Sequence, residues 1–256
     1  MSLRVKVLAS GSKGNAALYS SENTHVLLDC GISAKRVAQG LAKEKVDPGD
    51  LAAIFISHEH TDHVQGLRVF LKKTAAPLFI APESYETHAC ENLEPRGVEP
   101  LVGGSSVVLG PMTITPFVLP HDAASCFGFN IEAGGVKISQ VTDLGVPTNL
   151  VRERIRGSHC VLLEFNHDLE RLLNGNYPLD IKMRITGTLG HLSNNQAAEL
   201  VGETLNGECR ALYLMHMSKS NNLPELAELA AREGLDGAVA RIFRTFEDRA
   251  AEVWEG

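Results

Sequence analysis

One short stretch of the chain concentrates side chains that bind metal ions. It reads Ser-His-Glu-His-Thr-Asp-His from position 57 to 63, between an apolar segment and an amphipathic one. Alternate side chains of an extended segment share a side, so His58, His60 and Asp62 can point together while Glu59 points away. Imidazole and carboxylate groups without a thiolate suit Zn²⁺, Mn²⁺ or Fe²⁺. The stretch therefore predicts a metal site.

The spacing of these ligands favours two ions over one. Ligands packed this tightly along the chain are awkward for a single tetrahedral ion. His58 and His60 form one natural half-site, and Asp62 with His63 forms another once the chain turns into the following helix. Two such half-sites need further ligands from elsewhere in the sequence, including a carboxylate that bridges the ions.

Composition narrows the class of protein that carries this site. The chain has 256 residues, 44% of them hydrophobic and 21% charged, which is typical of a globular protein. No apolar run approaches the roughly 18 residues that predict a membrane span. The five cysteines are scattered, which favours a reduced, cytoplasmic protein. A net charge of −7 argues against a broad basic surface for nucleic acid and leaves a local contact open.

The elements that must position the site alternate between short strands and helices, which predicts an α+β layered sandwich. The predicted strands are Arg4–Ala9, Ala16–Ser20, His25–Asp29, Leu51–Ser57, Leu78–Ala81, Val107–Leu109, Met112–Leu119, Phe127–Glu132, Val136–Thr142 and Ala211–Met215. The predicted helices run from a Ser33 cap to about Lys43, over Val64–Leu71, and near Pro147–Ile155, Asp168–Leu173, Asn194–Leu205 and Leu223–Arg232. The ends, Met1–Leu3 and Glu255–Gly256, are interpreted as vector-derived and are given no functional weight.

The histidine stretch, its strand–loop–helix setting and the chain length resemble the metallo-β-lactamase superfamily. The resemblance implies one domain over residues 1–256, built as a four-layer αββα sandwich with two metals at one edge of its sheets. The residues that match the other ordered motifs of the superfamily are Asp29, His121, Asp143 and His216.

These matches imply a complete ligand set for two divalent ions, expected to be Mn²⁺ or Zn²⁺, with Fe²⁺ as an option. One ion takes His58, His60 and His121, the other takes Asp62, His63 and His216, and Asp143 bridges them. Asp29 is expected to orient a ligand histidine from behind.

Two further residues resemble a glutamate–histidine pair of the phosphodiesterase branch of the superfamily. This branch includes the tRNA 3′-processing enzymes. Glu164 ends a predicted strand, and His191 precedes a predicted helix that Ser193 and Gln196 can cap. The resemblance implies a hydroxide between the metals that attacks phosphorus, with Asp62 orienting that nucleophile. Glu164 then holds His191, which assists the departing oxygen.

A narrower resemblance is to the bacterial YycJ/WalJ family. The segments that carry it are Ser10–Asn15, Asn166–Asp168, Gly175–Pro178, Lys182–Ile185, Gly190–Asn194 and His216–Asn222. It implies a DNA exonuclease that degrades duplex DNA from 5′ to 3′, linked to mismatch repair, with no membrane partner. No role follows for His167, and the oligomeric state is open.

Several alternatives remain at this level. The residues expected to contact substrate are Gly11, Ser12, Asn15, Ser193, Asn194 and Lys219, although the loop around Gly11 fits a plain hairpin turn equally well. The same fold also carries RNA-processing and small-molecule phosphodiesterases and thioester or lactone hydrolases. A binding protein without catalysis is a further alternative.

Overall fold

Two mixed β-sheets form the centre of the molecule. A computed structural model describes residues 2–205 and 207–256, which contain two seven-stranded sheets. The first sheet has the order β14-β1-β2-β3-β4-β5-β6, with β1 Arg4–Ala9, β2 Ala16–Ser21, β3 Thr24–Leu28, β4 Leu51–Phe55, β5 Leu78–Ile80, β6 Val98–Pro100 and β14 Trp254–Glu255. The second has the order β13-β12-β11-β10-β9-β8-β7, with β7 Val107–Leu109, β8 Met112–Val118, β9 Phe127–Ala133, β10 Val136–Val141, β11 Cys160–Glu164, β12 Ala211–Met215 and β13 Arg241–Arg244.

Helices cover the outer faces of both sheets. They are α1 Ala34–Lys43, α2 Thr61–Val64, α3 Leu67–Phe70, α4 Pro82–Tyr85, α5 Asn149–Ile155, α6 Leu169–Asn174, α7 Leu179–Thr186, α8 Asn194–Thr204 and α9 Pro224–Leu235. Short 3₁₀ turns occupy Pro48–Asp50, Leu71–Lys73 and His88–Cys90. Among the described residues, no helix is long and apolar enough to cross a membrane.

Three apolar layers hold this arrangement together. Tyr19 and Phe55 of the first sheet share one buried cluster with Phe129 and Tyr213 of the second, so the two sheets pack face to face. A second cluster lies between the first sheet and the helices α1 and α3. A third lies between the second sheet and the helices α5, α8 and α9. The order helix, sheet, sheet, helix confirms the predicted αββα sandwich.

Parallel pairing brings several strand ends to one edge of the sandwich. Strand β3 pairs in parallel with β4 in the first sheet, and β11 pairs in parallel with both β10 and β12 in the second. The carboxyl ends of parallel neighbours meet at the same edge, so the residues that follow these strands lie close together.

The predicted helix over 64–71 is wrong in one respect, because the structure divides it. Helix α2 ends at Val64 and α3 begins at Leu67, with Gly66 between them. The Gly66 amide donates to the Cys30 carbonyl at 2.9 Å, and a side chain at this position would run into the Ile32 carbonyl. Contact with the 30–32 loop therefore interrupts the helical run that the apolar spacing predicts.

Other elements escaped the sequence analysis because they are short or weakly patterned, namely α4, α7, β6, β13 and β14. The two ends, which the sequence analysis gave no functional weight, both take part in the first sheet. Leu3 is fully buried and exchanges backbone hydrogen bonds with Gly256, and Glu255 pairs with Arg4 across the first sheet. The described ends are therefore part of the sheet edge, and Met1 lies outside the described residues.

Candidate metal centre

The candidate metal centre is built from residues that directly follow strands. Asp29 follows β3, Asp143 lies two residues after β10, and His216 follows β12. All three have left-handed backbone conformations, with φ of 62°, 64° and 52°. A non-glycine residue adopts this conformation rarely, and such strain concentrates at functional sites. The chain turns sharply at each strand end and leaves a polar side chain at the shared edge.

His58, His60 and His121 form the first half-site. One ring nitrogen from each lies within 4.8 Å of the others, and His60 Nδ1 is 3.3 Å from His121 Nε2. His58 and His60 lie on the loop after β4, whereas His121 comes from the loop after β8. The first half-site therefore joins the two sheets.

Asp62, His63 and His216 form the second half-site. The Asp62 Oδ2 atom lies 3.1 Å from His216 Nε2 and 3.5 Å from His63 Nε2. His63 is fully buried and lies in the short helix α2, which begins with Thr61. The turn into that helix brings His63 beside Asp62, as the sequence predicted.

Asp143 lies between the two half-sites. Its Oδ2 atom is 3.2 Å from His63 Nε2, and its Oδ1 atom is 3.5 Å from His216 Nε2 and 3.8 Å from His121 Nε2. The carboxylate thus reaches histidines of both half-sites. This is the placement that a bridging ligand requires.

Unpartnered buried atoms test whether this cluster fits a metal. His58 Nε2 and Asp143 Oδ2 are buried from solvent, and each lacks a hydrogen bond of good geometry among the described residues. A buried polar atom without a partner is costly, and native proteins rarely keep one without a reason. Both atoms point into a set of nitrogen and oxygen donors of the kind that holds divalent cations. The residues therefore fit a divalent metal site.

A second layer of side chains fixes the ligand rings. Asp29 Oδ2 accepts a hydrogen bond from His63 Nδ1 at 2.9 Å, and the Asp29 carboxylate also accepts from the Ser57 amide and hydroxyl at 2.8 and 3.0 Å. The Ser57 hydroxyl lies 3.1 Å from both His58 Nδ1 and His63 Nδ1. The structure thus places Asp29 behind a ligand histidine, and Ser57, which sequence reasoning missed, between the half-sites.

Glu164 supports two histidines at once. Its Oε1 atom lies 2.8 Å from His191 Nδ1 and 2.9 Å from His216 Nδ1, and its Oε2 atom accepts from the Leu144 and Leu192 amides. The His191 ring lies 5.1 Å from the His121 ring and 5.3 Å from the His216 ring, measured between centroids. His191 therefore stands beside both half-sites with its Nδ1 atom held by a buried carboxylate.

The charges in this cluster favour the ionised carboxylates. Burial alone acts to raise the carboxyl pKa values, but His216 and His63 hold the pKa of Asp143 well below its usual range. In the same way His191 outweighs burial and lowers the pKa of Glu164 to about 2. The site thus offers anionic oxygen ligands over the whole physiological pH range.

The histidines divide into two groups. Burial acts to lower the pKa of His63 and His216, but Asp29 raises the pKa of His63 and Asp143 raises that of His216 above the ordinary value. Burial lowers the pKa of His58 and of His121, and nearby carboxylates do not reverse it. The second half-site therefore holds protons more firmly than the first.

Two of the predicted substrate residues are engaged inside the protein. The Asn15 amide is buried and lies 3.3 Å from Asp62 Oδ2 and 3.1 Å from His63 Nε2, while its Oδ1 atom accepts from the Gly11 amide. Asn194 is buried and exchanges amide hydrogen bonds with Asn222 at 2.9 Å. Both side chains therefore support neighbouring side chains, and their contact with substrate stays a prediction.

The remaining predicted substrate residues also differ in access. The amide of Gly11 donates to Asn15, and the hydroxyl of Ser193 caps α8 in the predicted capping box with Gln196. Ser12 lines a cavity beside His191, and exposed Lys219 lines another beside Ser10. Of these four residues, Ser12 and Lys219 are therefore the two whose polar side chains line a cavity. Ser10, which shares the second cavity with Lys219, supports a ligand histidine, because its hydroxyl accepts a hydrogen bond from the His216 amide at 2.8 Å.

The sandwich and its histidine–aspartate cluster define a metal-dependent hydrolase of the metallo-β-lactamase type. The family model described as "Beta-lactamase superfamily domain" matches residues 24–217. Exodeoxyribonuclease WalJ of Streptococcus pneumoniae is 31% identical over 264 residues, which cover 98% of this chain and 97% of that protein. Exodeoxyribonuclease YycJ of Bacillus anthracis is 29% identical over 249 residues, covering 96% and 94%. The chain belongs to the beta-lactamase superfamily and, within it, to the YycJ/WalJ family.

Solved structures agree on the fold. The metallo-beta-lactamase fold protein YhfI of Bacillus subtilis superposes with a TM-score of 0.76 at 17% identity, covering 100% of this chain and 99% of that one. The short form of human tRNase Z superposes with a TM-score of 0.61 at 20% identity, covering 84% and 93%. At these identities the likeness extends to the architecture alone.

Proposed function

We propose that this protein is a phosphodiesterase that uses two divalent metal ions, Mn²⁺ or Zn²⁺, to degrade DNA from an end, with duplex DNA degraded from 5′ to 3′. The observation that carries the proposal is the Glu164–His191 pair, joined at 2.8 Å beside both half-sites. The two curated relatives named as exodeoxyribonucleases support DNA as the substrate. Both sheets contribute ligands to one centre, which supports a single working domain over residues 1–256.

The proposed ligand sets follow the two half-sites. His58, His60 and His121 would hold one ion and Asp62, His63 and His216 would hold the other, with Asp143 placed to serve both. When bound, the ions would supply an activated water and would neutralise charge on the phosphoryl oxygens. Asn15 keeps Asp62 in place through its amide, which leaves that carboxylate oriented toward the centre.

His191 is the proposed proton donor to the leaving oxygen. Burial acts to lower its pKa, but the Glu164 carboxylate raises it above the ordinary value, which favours the protonated ring that a proton donor requires. Its Nδ1 atom is held by Glu164, which leaves Nε2 to donate. An alkoxide is a poor leaving group, so a positioned acid lowers the barrier in the step where this charge develops.

Thioester hydrolysis is a competing function for this fold, and the same pair argues against it. A thiolate leaves readily without a proton, so a buried Glu–His pair that maintains an acid would be superfluous for thioesters. RNA remains the competing substrate within the phosphodiesterase class, because the centre itself contacts phosphate and reads no base.

The test measures hydrolysis of end-labelled single- and double-stranded DNA and RNA, together with a thioester, by protein treated with a chelator and then supplied with Mn²⁺ or Zn²⁺. We expect activity on duplex DNA that is lost with the chelator and restored by metal. A His58→Ala/His60→Ala double variant should lose activity by at least about 1,000-fold, because one ion loses two ligands.

His88→Ala provides the matched control, since the His88 side chain is 93% exposed and pairs with Glu91, which is not in the ligand set. Robust nuclease activity in the double variant would contradict the proposal. So would rapid thioester turnover without any phosphodiester turnover. Mapping the product ends establishes the direction of degradation.

A further inference from the structure

A cavity beside the metal centre has walls suited to a nucleotide. It has a volume of about 190 Å³ and is lined both by His191 and by residues of α7. On the side of the metal centre its walls include Ser12, Asn166, His191 and Ser218. Its walls also include Tyr177, Ile181, Arg184 and Ile185, at and just before α7. Asp122 also lines the cavity, which therefore combines polar, aromatic, cationic and anionic groups next to the proposed proton donor.

Arg184 is tied to the metal centre through Asp122. The Arg184 Nε atom donates to Asp122 Oδ2, and Asp122 Oδ1 lies 3.4 Å from His121 Nε2. The Asp122 carbonyl oxygen lies 3.2 Å from His60 Nε2. Among the described residues the two terminal amino groups of Arg184 have no hydrogen-bond partner, and its side chain is 61% exposed. The guanidinium is thus held in place with donors left over for an anion.

Tyr177 presents an aromatic side chain at the same cavity. It is 37% exposed, and Ile181 and Ile185 add apolar wall beside it. Aromatic side chains stack on nucleobases of any sequence, because every base has a π face. A wall that joins an aromatic ring to a guanidinium matches a molecule with a base at one end and a phosphate at the other.

We propose that this cavity holds the terminal nucleotide that hydrolysis releases, with Arg184 contacting its 5′-phosphate and Tyr177 stacking on its base. The inference rests on the proposed function. Water adds to phosphorus while the bond to the 3′ oxygen of the terminal nucleotide breaks, and that oxygen takes its proton from His191. The products are a nucleoside 5′-monophosphate and a strand shortened by one nucleotide that carries a new 5′-phosphate.

The test measures binding of deoxythymidine 5′-monophosphate, thymidine and inorganic phosphate to the metal-loaded protein by titration calorimetry. We expect the nucleotide to bind at least about 10-fold more tightly than either fragment. Arg184→Gln should weaken nucleotide binding about 10-fold, as loss of a charge-assisted contact does. Tyr177→Ala should weaken it to a similar degree, whereas Tyr177→Phe should keep most of the affinity because the ring remains.

Lys182→Gln is the matched control. Lys182 lies on the same helix, but its Nζ atom donates to the Leu173 carbonyl and its side chain is not part of the cavity wall. Equal binding of inorganic phosphate and of the nucleotide would overturn the inference, as would unchanged affinity in Arg184→Gln.

Binding and hydrolysis separate the two proposals. A protein that degrades DNA but binds the nucleotide equally well with and without Arg184 contradicts this inference alone. Absence of phosphodiester hydrolysis contradicts the proposed function, even where Arg184-dependent nucleotide binding supports the cavity. A shortened strand that ends in a 5′-hydroxyl would also overturn the inference, because the released nucleotide would then not leave through its 3′ oxygen.

Discussion

The two half-sites contain similar rings, but different groups stand behind them. In the second half-site His63 and His216 each direct Nδ1 to a buried carboxylate, at 2.9 Å from Asp29 and from Glu164. In the first half-site His58 Nδ1 meets the Ser57 hydroxyl at 3.1 Å, and His121 Nδ1 meets the Gly190 carbonyl at 3.2 Å. One half-site is thus backed by charge and the other by neutral groups.

This difference has consequences for protons and for metal. A carboxylate behind an imidazole raises its basicity and fixes the ring, which strengthens a metal bond once the proton has left. A hydroxyl or carbonyl fixes the ring without adding charge. The first half-site is therefore ready to bind a cation at neutral pH, whereas the second must first release protons to do so. The predictions below test this contrast, in order of expected effect.

Replacement of Glu164 by Gln should have the largest effect, because this carboxylate backs a ligand and the proposed acid together. We expect kcat on DNA to fall about 100-fold, since His191 loses the charge that keeps it protonated. The alkaline limb of the pH–rate profile should move to lower pH in the variant. Steady-state kinetics between pH 6 and about pH 9, where Glu164 itself stays ionised, measure both effects.

Glu59→Gln is the matched control for Glu164→Gln. Glu59 is also a buried carboxylate, but its oxygens accept from the Ser84 hydroxyl at 2.7 Å and the Ala124 amide at 2.8 Å, away from the ligands. Similar losses of kcat in the two variants would show that any buried carboxylate in this region supports activity equally. That result would contradict the special role of the carboxylate behind His191 and His216.

Asp29→Asn should weaken metal binding at the second half-site about 10- to 100-fold, because His63 loses its charged partner. Ser57→Ala should have a smaller effect, since Asp29 still holds His63 directly and a neutral hydroxyl is lost. Metal content after dialysis against a weak chelator checks both variants. We expect Asp29→Asn to retain one ion where the wild type retains two. Equal metal loss in both variants would remove the distinction between charged and neutral support.

Proton release should distinguish the half-sites when each is tested alone. His63→Ala/His216→Ala leaves the first half-site, and His58→Ala/His60→Ala leaves the second. Because the pKa values of His63 and His216 are raised, these rings carry protons near pH 7 that a metal must displace. The pKa values of His58 and His121 are lowered, so these rings are already neutral.

Zinc titrations in buffers of different ionisation enthalpy count the protons. We expect the second half-site to release about two more protons per ion at pH 7, one from each of its rings, so its affinity should rise about 100-fold more per pH unit. Equal proton release from the two double variants would contradict the assignment of charged support to one half-site.

Sequence spacing predicted the parts of the site whose positions follow from the local geometry of a strand or a turn. The alternation of His58, His60 and Asp62 and the strand ends before Asp29, Asp143 and His216 are visible in the sequence, because a strand and a turn each impose a simple geometry. The spacing of apolar residues likewise predicted the strands that carry them. The assignment of the strands to two packed sheets followed from resemblance to a known fold and could not be derived from strand patterns alone.

Contacts between distant segments could not be predicted in the same way. Asn15 binds Asp62 across 47 positions, and Glu164 meets His216 across 52, so no local pattern records either contact. Helix α7 was missed because it contributes no buried residue, which removes the periodic apolar signal. Its importance comes from the cavity that it faces, which exists only in the folded chain.

The smallest expected effect concerns a histidine whose ring has no carboxylate hydrogen-bonded to it among the described residues. His167 is buried, its Nδ1 atom has no hydrogen-bond partner among the described residues, and burial lowers its pKa to about 4. Between about pH 4 and about pH 6.5, the unfolded chain therefore binds a proton at His167 and the folded chain does not. Stability should consequently fall as the pH falls through this window, by about 1 kcal/mol between pH 7 and pH 5.5.

His167→Gln should remove that part of the pH dependence, because glutamine does not titrate. Urea unfolding of the metal-free protein at several pH values measures the slope, and His88→Gln serves as the exposed control. The informative quantity is the difference in slope between variant and wild type, because the ligand histidines titrate equally in both. An unchanged slope in His167→Gln would mean that His167 is protonated in the folded chain, and burial without a carboxylate would then fail to keep a histidine neutral in this protein.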